Sequence, residues 1–186
     1  MFTLSRKQKK EDECMTMIRM AKRKDLDAMI DLWAELRNWE FKNTRYEDDW
    51  MGPTVSQVVH LADRWRHDIE QEMVFVALDC REIVGFCVAA AYTPEGQEPE
   101  CLFVNDVYVS EWARDPNLAS HLIFRMGQKA LNEGYHRMQI WIDSNRTDNL
   151  KEQCIRLGAQ FAGMQGMNYS YVENYEWRDL RCFSYS

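Results

Sequence analysis

The segment Asn105 to Leu122, NDVYVSEWARDPNLASHL, constrains the fold more than any other part of this 186-residue chain. A strand rich in Val and Phe is predicted to end at Val109, and a helix is predicted to begin near Leu118, with a polar turn between them. The first N–H groups of a helix are unpaired and carry the positive end of the helix dipole, so they can hold phosphate groups. The segment therefore indicates a phosphate-binding turn.

Hydrophobic periodicity predicts the elements around this turn. A first helix is capped by Asp25 and is followed by a loop over 41–54. The other predicted helices cover 56–71, 118–133 and 147–157, and the predicted strands cover 16–20, 73–78, 83–92, 101–109, 137–142, 159–161 and 167–173. The order β-α-α-β-β-β-α-β-α-β-β predicts an α+β fold with a central mixed sheet flanked by helices.

Composition and charge indicate which partners the protein is expected to bind and in which compartment it is expected. The net charge of −7 argues against nucleic acid as a partner and suits a cationic substrate such as an amine. No apolar run approaches the roughly 20 residues of a membrane helix, and the first residues have no apolar signal region, so a cytoplasmic protein is expected. Residues 1–14 are predicted to be a flexible tail, and 15–186 a single domain.

The six cysteines show neither a CxxC pair nor a His at metal-ligand spacing. Most of them lie inside apolar stretches, so they are predicted to be reduced, buried thiols. No metal site is expected.

Two segments carry a resemblance to a known family. Arg114-Asp115-Pro116-Asn117-Leu118-Ala119 resembles motif A of the GNAT superfamily of acyl-CoA N-acyltransferases, written Arg/Gln-x-x-Gly-x-Gly/Ala, and IWIDSNRTDNLKEQCIRLGAQF resembles its motif B. Asn117 replaces the first Gly of motif A, but Asn tolerates left-handed backbone conformations, so the turn is expected to form. Pro116 removes one N–H from the turn.

The resemblance covers roughly 17–171 and implies a GNAT-like acyl-CoA N-acyltransferase fold with acetyl-CoA, or another acyl-CoA, as cofactor. It implies that the turn holds the pyrophosphate and that backbone groups of the preceding strand hold the pantetheine arm. The residues implied to bind the cofactor are Val107, Val109, Arg114, Asp115, Asn117, Leu118, Ala119, Ser120, Asn145, Thr147 and Asn149.

The family's catalytic positions are substituted in this chain. Asn105 stands where many members have the Glu that acts as general base, so Asp106, the nearest carboxylate, is the predicted base, with Asn105 positioning water or substrate. Cys154 stands where the family has the Tyr that protonates the leaving thiolate. A thiol can donate a proton, but a small buried packing role for Cys154 is the alternative. Tyr108 is a competing acid candidate.

The acceptor side is predicted in the loop between the first two helices, which lines the acceptor pocket in the family. Glu47, Asp48, Asp49 and Trp50 could hold a cation by charge and by an aromatic face, and the alternative is a solvated acidic loop. The acidic, aromatic stretch 169–177 could line the same pocket or form a homodimer edge.

Together these features predict an N-acetyltransferase that transfers an acetyl group from acetyl-CoA to a primary amine of a small molecule or a protein. The substitutions Asn105, Asn117 and Cys154 support an alternative, a non-catalytic member of the same fold that binds an acyl-CoA or a protein partner.

Overall fold

The computed structural model describes residues 16–43, 53–71, 73–92, 101–113, 115–143, 149–167 and 170–184. Its strands are β1 (Met17–Met20), β2 (Val74–Asp79), β3 (Glu82–Tyr92), β4 (Cys101–Val109), β5 (Arg137–Asp143), β6 (Gln160–Met167) and β7 (Ser170–Trp177). Its helices are α1 (Leu26–Asn43), α2 (Val55–Glu70), α3 (Leu118–Asn132) and α4 (Leu150–Arg156), with 3-10 turns at Arg23–Asp25 and Leu180–Phe183. The element order confirms the sequence prediction.

The seven strands form one mixed sheet in the order β1-β2-β3-β4-β5-β7-β6. All neighbouring strands pair antiparallel except β4 and β5, which are parallel. The parallel pair follows from the crossover through α3, because two parallel neighbours need a connection that returns to the same end of the sheet. The predicted mixed sheet is confirmed, with its one parallel junction in the middle.

Two hydrophobic cores cover the two faces of this sheet. On one face α1 and α2 pack against β2, β3 and β4, where the ring of the fully buried Trp65 lies 5.0 Å from that of Phe86. On the other face α3 and α4 pack through residues such as Leu122, Met126 and Leu150. The strand β4 contributes to both cores, so both pairs of helices are fixed relative to it.

The predicted bounds fail at the last two strands and at the end of α1. Strands β6 and β7 form a hairpin that is longer than predicted, because glycines in the stretch FAGMQGM interrupt the hydrophobic pattern without ending the strand. Gly163, at a φ of 148°, lies where the register of this hairpin shifts. Since β7 lies between β5 and β6, it does not form an edge of the sheet. Helix α1 continues to Asn43, into the predicted loop.

The cysteine prediction is partly wrong. Cys87, Cys101 and Cys154 are buried free thiols, but the free thiol of Cys182 is exposed and Cys80 is disulfide-bonded. Cys80 lies in the tight turn between β2 and β3, at a φ of 54°. The predicted tail, residues 1–14, lies outside the described residues. Among the described helices, none is long and apolar enough to cross a membrane.

Candidate active site

The two parallel strands separate partway along their length. The register between β4 and β5 ends where Val104 lies opposite Ile140, although β4 continues to Val109 and β5 to Asp143. Beyond this point β4 and β5 are no longer in register, so a ligand can approach the side of β4 that faces β5. A narrow cleft therefore opens at the centre of the sheet.

A β-bulge marks the beginning of the cleft. In the antiparallel pair of β3 and β4, Val88 lies opposite Asp106 and Ala89 lies opposite Val104. Asn105 is therefore the extra residue of β4, and it is exposed. Bulges of this kind commonly re-aim side chains next to active sites.

The turn predicted to bind phosphate follows the end of β4, beyond the point where β4 and β5 separate. Its backbone is ordered by hydrogen bonds from Ala113 N–H to Ser110 O (3.0 Å) and from Leu118 N–H to Asp115 O (3.2 Å). The first i to i+4 bond of α3 runs from His121 N–H to Asn117 O (3.0 Å), so the amides of the first helical turn point out of the helix end. Arg114, the first residue of the predicted motif, lies outside the described residues.

Asn117 does not need the conformational tolerance that the sequence argument gave it. Its φ is −96° and its ψ is 3°, outside the left-handed region, so this position places no special demand for glycine. Its N–H donates instead to Asp115 Oδ1 at 2.8 Å. The carboxylate of Asp115 also lies 3.6 Å from His121 Nδ1, so the turn carries a negative charge of its own.

Helix α4 is attached to the same turn by a buried side chain. Gln153 is 1% exposed, and its Nε2 donates to Pro116 O (3.2 Å) and to the side chain of Asn149. This contact brings Asn149, one of the residues predicted from motif B, next to the phosphate turn. Asn145 and Thr147, predicted with it, lie outside the described residues.

Asp106 lies under the bulge and joins α1 and α2 to β4. Its carboxylate is 3.1 Å from Arg37 Nη2 of α1 and 3.6 Å from Arg64 Nη2 of α2, and its side chain is 8% exposed. Arg37 is held further by Glu40 and by the face of Trp33, whose ring centroid lies 5.2 Å from the guanidinium carbon. The predicted base is thus a buried carboxylate that two guanidinium groups hold in place.

The structure adds a carboxylate that the sequence analysis missed. Glu35 of α1 accepts a hydrogen bond from Ser110 Oγ (2.8 Å), and the hydroxyl of Tyr108 lies 3.5 Å from the same carboxylate oxygen. Tyr108 and Ser110 are both buried. Because more than 70 residues separate Glu35 from these partners, no local pattern in the sequence indicates the contact.

Cys154 is fully buried in the core beneath α4, together with Tyr175 of β7. Burial and the hydrogen bond that it donates to Glu173 (2.7 Å) raise the pKa of Tyr175 to about 12. Burial alone would raise the pKa of Glu173, but hydrogen bonds from Lys151 and Tyr175 hold that pKa below its usual value. The neighbourhood of Cys154 therefore contains a tyrosine that keeps its proton at neutral pH.

Some of the remaining predicted site residues lie in the described part of the structure, and others lie outside it. Val107 is buried in the core beneath α3, and Val109 lies opposite Gly85 of β3. A Cβ on Gly85 would lie 2.8 Å from Tyr108 O, so only glycine allows this close pairing of β3 with the end of β4.

The predicted acceptor residues Glu47, Asp48, Asp49 and Trp50 lie outside the described residues. No group of three His, Cys, Asp or Glu side chains in the described part could hold a metal ion.

Comparison with known proteins identifies the family to which this fold belongs. The model of the Acetyltransferase (GNAT) family matches residues 26–152, more than half of the chain, and the chain belongs to this family. No curated protein matches it significantly.

Solved structures of low sequence identity share the fold. An N-acetyltransferase from Staphylococcus aureus Mu50 is 21% identical, with a TM-score of 0.69 over 89% of this chain and 99% of the other. The yncA protein of Salmonella typhimurium, solved with its cofactor acetyl-CoA, is 16% identical, with a TM-score of 0.68 over 88% and 93%. The PaiA N-acetyltransferase of Thermoplasma acidophilum, in complex with coenzyme A, is 9% identical, with a TM-score of 0.63 over 88% and 99%.

Proposed function

We propose that this protein transfers an acetyl group from acetyl-CoA, or an acyl group from another acyl-CoA, to the primary amine of a small molecule or a protein. The observation that carries the proposal is the cleft between β4 and β5, which begins at the bulge of Asn105 and ends at the amides of α3. Membership of the GNAT family supports the reaction class.

The residues present fit an acyl-CoA. The pyrophosphate would bind the amides of Ala119 and Ser120, because they lie at the positive end of the α3 dipole and, unlike Leu118 N–H, donate to no backbone carbonyl of the described residues. The pantetheine arm would bind backbone groups of β4 over 105–109, beyond the point where the register of β4 with β5 ends. Bound acetyl-CoA would supply the thioester carbonyl that the amine attacks and the thiolate that leaves.

The chain's own contribution would be to hold the amine in line with the bulge and to remove its proton. Positioning of two reactants accounts for much of the rate in reactions of this kind. Asp106, fixed by Arg37 and Arg64, is the carboxylate next to Asn105 and would keep the bulge in the shape that holds the acceptor. Asn105 is exposed at the bulge, where it would donate to water or substrate.

The first test is calorimetric titration with acetyl-CoA, followed by thiol release with a panel of primary amines. We expect saturable binding and amine-dependent release of coenzyme A. Because Cys182 is an exposed free thiol, the release assay needs a blank without amine and a parallel measurement on Cys182→Ser. No binding at millimolar acetyl-CoA would contradict the proposal.

The alternative function is a non-catalytic module that binds an acyl-CoA or a protein partner. It is favoured by the position of Cys154, which is fully buried and packed in the core. Binding of acetyl-CoA without thiol release from any amine would support this alternative.

Asp106→Asn tests the carboxylate at the bulge. We expect turnover to fall roughly tenfold with acetyl-CoA affinity nearly unchanged, because the amide keeps the shape of the side chain but loses the ion pairs with Arg37 and Arg64 that fix the bulge. Asp63→Asn, in an exposed pair with Arg66 on α2, is the control. Turnover equal to that of the wild type would remove Asp106 from the site.

A further inference from the structure

One buried carboxylate oxygen of the described structure has no hydrogen-bond partner. This oxygen is Oδ2 of Asp68, which lies near the end of α2. Asp68 is only 7% exposed, and its Oδ2 makes no hydrogen bond. Within the described part of the chain no salt bridge to it is formed, although Arg64 and His67 lie near enough for their charges to act on it, and burying a carboxylate without a direct partner is costly. Such a group calls for a ligand that brings positive charge or hydrogen-bond donors.

The position of Asp68 follows from the helix and from the backbone around it. Arg64, one turn earlier on the same face of α2, reaches Asp106 directly, so Asp68 faces the same strand. Met73 N–H donates to Asp68 O, and Ala89 N–H donates to Met73 O, both at 3.0 Å. Since Ala89 lies opposite Val104, Asp68 lies at the level of the bulge.

The charges around Asp68 come from three elements. Burial raises its pKa, Arg64 and His67 of α2 oppose the rise, and Asp106 of β4 adds to it. Arg37 of α1 acts on the other side of Asp106. The net result is a pKa above the usual Asp value, which brings this carboxylate closer to the range in which a base can accept a proton at neutral pH.

We propose that Asp68 completes the acceptor site: it binds the ammonium group of the acceptor and takes one of its protons. This inference rests on the proposed acyl transfer and deepens it. It assigns the proton to a residue of α2 instead of Asp106, whose oxygens are held by Arg37 and Arg64. The ligand class is a primary alkylammonium ion.

One proton of the ammonium ion moves to the Asp68 carboxylate, and the lone pair left on nitrogen forms the C–N bond to the thioester carbonyl carbon. The C–S bond breaks with its electron pair on sulfur, and a second proton from nitrogen ends on that sulfur as the thiol. Asp68 then releases its proton to water, so the products are the amide, the free thiol and one proton.

The test compares Asp68→Asn with Asp63→Asn, a matched substitution at an exposed position of the same helix. We expect kcat/KM for the amine to fall about 100-fold in Asp68→Asn near neutral pH, with unchanged acetyl-CoA affinity. The deficit should shrink as the pH rises toward the amine pKa, because a neutral amine needs no base. A wild-type pH profile and a wild-type kcat/KM in Asp68→Asn would overturn the inference.

A second measurement needs no acyl transfer and separates the two proposals. At neutral pH, n-butylammonium chloride should raise the Tm of the wild type and of Asp63→Asn by about 3 °C, and that of Asp68→Asn by much less, with sodium chloride as the ionic-strength control. This shift without thiol release would support the ammonium site and contradict the proposed activity. Equal shifts in all three proteins would overturn the site, whatever the activity.

Discussion

Ser120→Glu is expected to weaken acetyl-CoA binding more than 100-fold. Ser120 lies in the first turn of α3, where the proposed site places the pyrophosphate. A new carboxylate about 5 Å from a phosphate costs about 3 kcal/mol per pair of charges at an intermediate effective dielectric, and each 1.4 kcal/mol changes affinity tenfold. Calorimetric titration with acetyl-CoA measures the loss.

Ser120→Gln is the matched control, because it has the size of Glu without the charge. Both variants lose the hydrogen bond from Ser120 Oγ to Asn117 O (2.9 Å), so any difference between them reports the charge. Glu near a helix start also stabilises the helix, so thermal stability should not fall in Ser120→Glu relative to Ser120→Gln. Equal affinities in the two variants would place the pyrophosphate elsewhere.

Gly127→Ala is expected to destabilise the protein by about 1–3 kcal/mol, the usual cost of overpacking a core. At an open helical position the same change would stabilise by about 1 kcal/mol. Gly127, however, lies beneath the ring of Phe183, and a Cβ would stand 2.5 Å from its Cγ and 2.6 Å from its Cε2. Urea unfolding measures the free energy of unfolding of both proteins.

A double-mutant cycle with Phe183→Ala identifies the cause. Phe183→Ala alone removes a buried ring and should cost about 3–5 kcal/mol. In that background Gly127→Ala should be neutral or stabilising, because the helix gains alanine and nothing overlaps with it. Additive effects of the two substitutions would show that the ring is not what excludes a side chain from this helix.

Local patterns sufficed for the element order, the mixed sheet and the turn before α3, since each depends on periodicity within a short segment. Local patterns could not predict which polar residues of α1 and α2 contact the β4 region. Three polar residues, Glu35, Arg37 and Arg64, contact the β4 region although they lie far from it in the chain. They stand beside hydrophobic positions of their helices but do not belong to the hydrophobic periodicity, so that periodicity does not reveal their contacts.

Conformation was harder to predict than position. Asn117 lies at the start of α3, as predicted, but its backbone is not left-handed, so asparagine at this position needs no tolerance of the left-handed region. The predicted strands 159–161 and 167–173 do not include 162–166, although β6 runs through Gly163 and Gly166, because a strand held by a partner on one side can contain glycine. The isolation of Asp68 depends on what surrounds it, and a sequence does not show which neighbours are missing.

The extra residue at Asn105 also changes which side chains of β4 face each side of the sheet. Side chains of a regular strand alternate between the two faces, so Leu102 and Val104 facing α3 would be followed by Asp106 on that same face. The bulge gives Val107 that place and turns Asp106 toward α1 and α2. Deleting Asn105 would therefore remove the bulge and leave Asp106 and Val107 on their present faces, whereas regular pairing with Asn105 retained would drive a carboxylate into an apolar core.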